Sequence, residues 1–368
     1  MQSGSSNQKF QMPALDGLRG LAALIVILSH TSNVHYFFFP GLDFSGIGKS
    51  GVYLFFILSS FLLTLPLLHK GKEIFSIKLM SYYWSRRFFR VYPLYFTYLT
   101  VALLSSLAID FVFGPKEWAI PFRLDMLEYV DHLLLQSGKS VTWSIAVEFK
   151  YYFVLPVLAY FYAVTLKCQL LPALLLSLLL ILLFKVIYPS ENFISQDVRL
   201  GPYLSVFILG ALLAVLQYNI RENKIKIASY LWLINCSCYL AVVLIIILIP
   251  SVYSTLITPV DNTYFSKEIG LFSLLWAVVL FGIINGSSFI GKFLASPAMR
   301  YSGNISFSAY LFHPVFIDLM RHFKIETPIN AWIVLLLTFI TASLSFKLIE
   351  SRFAKINFSR FKFKKCFI

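Results

Sequence analysis

The chain has 368 residues, of which 58% are hydrophobic and 13% charged, and its mean hydropathy is +0.77. Soluble domains carry about 25% charged residues, so this composition excludes a soluble enzyme, a nucleic-acid-binding domain and a disordered protein. Its 31 basic residues outnumber 17 acidic ones, a net charge of +14. In a membrane protein that excess belongs mainly to cytoplasmic loops, and no basic segment follows a nucleic-acid-binding pattern.

The first apolar run begins near Ala14 and carries Asp16 and Arg19. A cleavable signal peptide has an uncharged core, so this run is expected to stay as the first transmembrane helix. About ten segments approach the 20 residues that a bilayer requires: 14–32, 50–68, 88–109, 143–164, 169–188, 200–218, 229–249, 268–285, 303–320 and 329–349. The expected fold is therefore all-α, a polytopic membrane protein of about ten transmembrane helices. A transmembrane domain over 14–350 is flanked by an N-terminal tail, 1–13, and a basic C-terminal tail, 351–368.

Lys and Arg set the orientation. Lys70, Lys72, Lys78, Arg86 and Arg87 follow the second segment, Arg221, Lys224 and Lys226 the sixth, and Lys292 and Arg300 the eighth. Arg352, Lys355, Arg360, Lys362, Lys364 and Lys365 follow the last. Ten crossings put all of them on one side. The opposite segment, 110–142, holds Asp110, Glu117, Asp125, Glu128 and Asp131. Both termini are expected in the cytoplasm, with the chain in the plasma (inner) membrane. Cys168, Cys236, Cys238 and Cys366 show neither metal spacing nor a disulfide framework, and no metal or bound cofactor is expected.

An ionisable group inside a transmembrane helix is expensive and marks function by default. In the first segment Asp16, Arg19, Ala23, Val26 and His30 share one face, with His30 about 16 Å along the axis from Arg19. Where the loop after the second segment runs into the third, Arg86 and Arg90 stand one above the other before Pro93, and Arg87 lies beside them. The fourth puts Ser144, Glu148 and Tyr152 on one face, and the ninth Ser306, Tyr310 and His313, followed by Pro314. Structural readings compete at each place: interfacial anchoring for Asp16, Arg19 and the arginine cluster, inter-helix bonding for His30 and Glu148, kink packing for His313. Against them stands the similar depth of His30, Glu148 and His313 on three helices. His35, His69, His132 and His322 fall in or beside loops, where a solvated imidazole needs no explanation. A proton-coupled transporter or lipid flippase would also use a buried His, Glu and Arg.

These segments resemble the acyltransferase 3 family, polytopic enzymes that O-acylate sugars on lipids and antibiotics. Residues 15–30, LDGLRGLAALIVILSH, resemble its opening helix with Arg and His. Residues 51–64, GVYLFFILSSFLLT, are similar to its second helix, with Ser60 where the family usually has Gly. Residues 84–95, WSRRFFRVYPLY, resemble its arginine motif, 143–153, WSIAVEFKYYF, its W-S-x-x-x-E motif, and 305–314, ISFSAYLFHP, its S-x-x-x-Y-L-x-H-P segment. Glu350 and Arg352 are similar to its terminal acidic–basic pair.

The resemblance implies acyl transfer from cytoplasmic acyl-CoA, with acetyl-CoA as donor, to a hydroxyl of a membrane-associated glycan or glycolipid of O-antigen or exopolysaccharide type. His30 is then the catalytic residue, with Glu148 orienting or balancing its imidazolium, and an acyl-histidine intermediate stays open. Arg19, Arg86 and Arg90 correspond to the family's arginines. Asp16, Ser306, Tyr310 and His313 join them as substrate-binding candidates. The expected partners are acyl-CoA, the acceptor and membrane lipids. Some members fuse a hydrolase-like domain after the last helix, and the chain reads as a stand-alone form.

Overall fold

A computed structural model describes residues 12–355, except 115, 117, 190–193, 195 and 326. Most of both tails, Glu117, and the basic residues Arg360–Lys365 with Cys366 therefore lie outside the described residues. The described residues are helical and loop, without a strand.

Ten helices correspond to the ten expected segments. They are α1 Pro13–Ser32, α2 Gly48–Leu68, α3 Ile77–Phe113, α4 Thr142–Tyr160, α5 Leu170–Ile187, α6 Leu204–Arg221, α7 Leu231–Ile247, α8 Ile269–Asn285, α9 Ser306–His322 and α10 Asn330–Ser345. With their flanking turns, eight are long and apolar enough to cross a membrane. The other two are α8, shorter but apolar, and α9, whose 17 residues include Ser306, Ser308, His313, Asp318 and Arg321. The protein is an all-α polytopic membrane protein.

α3 departs most from expectation. It starts at Ile77, where the Ser76 side chain accepts from the Leu79 N–H, and runs for 37 residues, about 55 Å at 1.5 Å per residue. That exceeds a hydrocarbon core of about 30 Å. Arg86 and Arg87 thus sit within a helix rather than in the expected loop, because no breaker interrupts the amphipathic stretch before Pro93.

α2 is the central helix, packed against α1, α4, α6 and α8. Its apolar window is 78% buried, whereas that of α5 is only 11% buried. Ser60 does not loosen this core. It is fully buried, its hydroxyl lies 2.8 Å from Tyr151 OH, and it donates to the Phe207 carbonyl at 2.5 Å. The small residue at this crossing comes instead from α6, where a Cβ on Gly210 would lie 2.6 Å from the Ile57 carbonyl oxygen. Near Arg19 the short helix Pro297–Asn304 presses onto α1, and a Cβ on Gly303 would meet the Asp16 carbonyl oxygen at 1.8 Å.

The segment between α3 and α4 is tied down. A capping box joins Asp125 and Glu128 at the helix Met126–Leu133, and Arg123 binds Asp110 through two bonds of 2.8 and 2.7 Å. His132 was expected to be solvated, but it is fully buried. Its Nε2 accepts the Lys139 N–H at 2.9 Å, and its Nδ1 lies 2.7 Å from the Glu128 carbonyl. It is a loop staple. Two backbone groups of opposite polarity hold the neutral ring, and burial pushes its pKa below the ordinary value.

Candidate active site

The two ends of α1 open onto separate cavities with different chemistry. At one end Asp16, Arg19, Arg86, Arg87, Arg90 and Glu350 line a cavity of about 350 Å³. Ala354 lines it too, so the start of the first described helix and the end of the last share this end. Asp16 and Arg19 are 3.5 Å apart. Arg86 stacks over Tyr82, 5.8 Å from the ring centroid. Glu350 sits on a π-helical turn, Phe346–Glu350, and accepts from Ser308.

Arg19, Arg87 and Arg90 also line a narrower passage of about 80 Å³ running inward to Glu148, Tyr152, Ser306 and Tyr310. Glu148 Oε1 accepts from Ser59 at 2.5 Å and from Tyr152 at 2.8 Å. The i, i+4 spacing of Glu148 and Tyr152 on α4 delivers the second of these bonds. Ser306 bonds the Gly303 carbonyl at 2.8 Å. Arg87 Nε is buried without a hydrogen-bond partner, a state that costs about 1–3 kcal/mol for a neutral donor and more for a charged one.

At the other end His30 lines a cavity of about 530 Å³ with Ser29, Asn33, Lys49, Trp143, Lys267 and Tyr310. Val52 and Tyr310 line both this cavity and the passage, and so form the wall between them. Tyr310 is held there by Ser144 Oγ at 2.7 Å and the Val141 carbonyl at 3.1 Å.

His30 Nδ1 lies 2.8 Å from His313 Nε2, a contact across 283 positions of sequence. His313 is fully buried. Its Nδ1 faces the Ala309 carbonyl at 3.3 Å and also engages the Tyr310 carbonyl, the group that Pro314, lacking an N–H, leaves without a helical donor. A carbonyl only accepts, so His313 carries its proton on Nδ1 and accepts at Nε2. His30 must then donate from Nδ1, and its Nε2 keeps a free lone pair.

All nine residues singled out from sequence line these cavities or touch a residue that does. The grouping differs from expectation. His30 meets His313, while Glu148 is bonded to Ser59 and Tyr152 in the arginine-lined passage. Arg87, Ser59 and the cavity lysines Lys49 and Lys267 were not among the candidates. Arg87 had a signal, its i, i+3 spacing to Arg90; Lys267 had none. Among the described residues no group of three or more His, Cys, Asp or Glu is arranged to hold a metal ion.

Fold and site define a polytopic membrane protein with His, Glu and Arg side chains on adjoining cavities. A family model described as an acyltransferase domain matches residues 12–349, and the chain belongs to that family. The peptidoglycan O-acetyltransferase OatA of Listeria monocytogenes serovar 1/2a is 27% identical over 390 residues, covering 97% of this chain and 58% of that protein. SAR0937 of Staphylococcus aureus strain MRSA252 is 25% identical over 384 residues, covering 97% of this chain and 59% of its own length. The O-acetyltransferase OatA of Staphylococcus aureus strain NCTC 8325 is 23% identical over 378 residues, covering 96% and 58%. The chain thus spans less than two thirds of the length of these relatives. No solved structure matches it.

Proposed function

We propose that the chain transfers an acyl group, acetyl in the first instance, from acyl-CoA to a hydroxyl of a membrane-associated glycan or glycolipid. The arginine end faces the cytoplasm and receives the donor, and the His30 end receives the acceptor. Support comes from family membership, from acetyl transfer in the names of two relatives, and from the clustering of Lys and Arg towards the arginine end. Family membership favours acyl transfer over proton-coupled transport, which the same polar groups would suit.

The observation that carries the mechanism is the His30–His313 contact. It leaves His30 Nε2 as the proton acceptor. The acceptor hydroxyl gives its proton to Nε2 while its oxygen attacks the thioester carbonyl. The C–S bond then breaks, and the leaving thiolate takes the proton back from the imidazolium. Tyr310, its hydroxyl proton held by the Val141 carbonyl, forms part of the wall along which the thioester must meet His30. Arg19, Arg86, Arg87 and Arg90 bind the phosphates of the nucleotide, since guanidinium pairs with phosphate bidentately. Glu148 offsets the guanidinium charge in the passage rather than touching the base.

The test is transfer of labelled acetyl from acetyl-CoA to membrane glycolipid in vesicles lacking other transferases. Removing a general base costs about 10²- to 10⁴-fold. His30→Gln, which keeps side-chain polarity but cannot take up a proton near neutral pH, should therefore be inactive at normal expression. A well-expressed His30→Gln protein with near-normal transfer would sink the mechanism.

A further inference from the structure

A second cavity, of about 580 Å³, opens where α5 ends and α6 and α8 begin. Most of its wall is apolar, including Ile181, Phe184 and Ile269, and its basic groups are Lys185, Arg199 and Lys267. Lys267 also lines the His30 cavity, so the two spaces meet at one side chain.

The charges are unequal in availability. Arg199 is spent on Asp197, which it binds through Nε at 2.9 Å and Nη2 at 2.7 Å. Lys185 and Lys267 have no ion-pair partner among the described residues. Glu268, also on the wall, is exposed and offsets one of them. Lys185 and Lys267 are exposed as well, so a net positive charge remains at the opening of a largely apolar recess, on the side that the proposed orientation makes external, where basic residues run against the general bias.

A track leads to this recess. α5 turns Leu174, Leu175, Leu178 and Leu182 outward, each 46–58% exposed, and Leu182 is itself part of the cavity wall. In a membrane that face meets hydrocarbon. An alkyl chain lying along it would bring its headgroup to Lys185.

We propose that this cavity binds the phosphate of a lipid-linked acceptor, with Lys185 and Lys267 as the phosphate partners, the lipid chain along α5 and the attached sugar in the His30 cavity. This rests on the reading that His30 receives the acceptor. Two lysines suit a single phosphate because an ammonium is a compact point charge with three donors. Lys267 sets the direction, since a group bound there stands at the mouth of the catalytic space.

The experiment measures retention of hexadecyl phosphate by the full chain in neutral detergent, using native mass spectrometry, with hexadecanol and inorganic phosphate as comparison probes. Hexadecyl phosphate should be retained and hexadecanol should not. The Lys185→Gln, Lys267→Gln pair should weaken retention about tenfold or more, as expected for lost charge-assisted contacts. Lys185→Arg with Lys267→Arg keeps the charge and should retain the lipid, which separates charge loss from misfolding. With a sugar linked to hexadecyl phosphate as acceptor, Lys185→Gln should raise KM and leave kcat in place. Equal retention by the Gln pair overturns the inference, because the lysines then only reach for the interface. Equal retention of hexadecanol overturns it by removing the phosphate, and full displacement by inorganic phosphate by removing the lipid. These readings report binding and are independent of the His30→Gln result, so failure of either idea is visible without the other.

Discussion

His30 and His313 form a unit in which each ring decides what the other can do. His313→Leu keeps the site apolar and packed but leaves the His30 Nδ1–H without an acceptor, so either tautomer becomes available to His30. We expect kcat/KM to fall about ten- to a hundredfold and its pH profile to move, since an unpaired buried donor costs about 1–3 kcal/mol. His313→Gln offers a carbonyl oxygen to the same proton and should recover part of the loss. A pH–rate profile unchanged in His313→Leu would reduce His313 to packing. Arg87 poses the complementary case, a buried guanidinium N–H with no partner among the described residues. Its natural partner is a donor phosphate. Arg87→Ala should raise the Kd for acetyl-CoA about ten- to a hundredfold by titration calorimetry, within the range for hydrogen bonds to charged groups. Arg87→Lys should restore only part, having no planar fork. Unaltered donor affinity in Arg87→Ala would remove the arginine from the donor site.

At the scale of elements, α3 and the segment after it show where local rules were legible. Ser76 and the Asp125–Glu128 box cap helix starts as local rules describe, although neither was singled out from sequence. The hydropathy of α3 nonetheless marked only its apolar part, because its first turns are amphipathic and a membrane window does not register them. The burial of His132 was not legible at all, since its partners are backbone groups brought round by the loop. Its consequence is pH dependence. The unfolded segment keeps an imidazole near the ordinary pKa of about 6.5, whereas the folded segment holds it lower. As pH falls below about 6.5 the unfolded form takes up a proton that the folded form resists. The stabilisation is thus present above that pH and is lost as pH falls towards the folded pKa. The protection factor of the Lys139 amide, its exchange relative to the free-peptide rate at the same pH, should fall as pH drops below about 6.5. His132→Gln, whose side-chain oxygen can accept the same N–H, should flatten that response. A Lys139 protection factor that is flat with pH in the unaltered protein would rule out the staple as a titrating group.

For the whole molecule the prediction is topological. One cavity touches both Asp16, near the start of the first described helix, and Ala354, beyond the last long one. Reporter fusions at Phe10 and Lys365, both outside the described residues, should therefore report the same compartment, and the Lys and Arg distribution predicts that it is the cytoplasm. Opposite signals from the two fusions would mean an odd number of crossings. The sequence by itself determined the helical class, the helical segments and the polar groupings of the first, third, fourth and ninth, because run length and i, i+3 or i, i+4 spacing are local properties of a helix. Only the tertiary structure decided which faces meet. It joined His30 to His313 across 283 positions and gave Glu148 to Ser59 and Tyr152. It also brought Lys267 to the His30 cavity. Helix spacing orders side chains along and around one axis and leaves open the rotation of one helix against another. Close packing at positions such as Gly210 and Gly303 fixes that rotation, and with it the site.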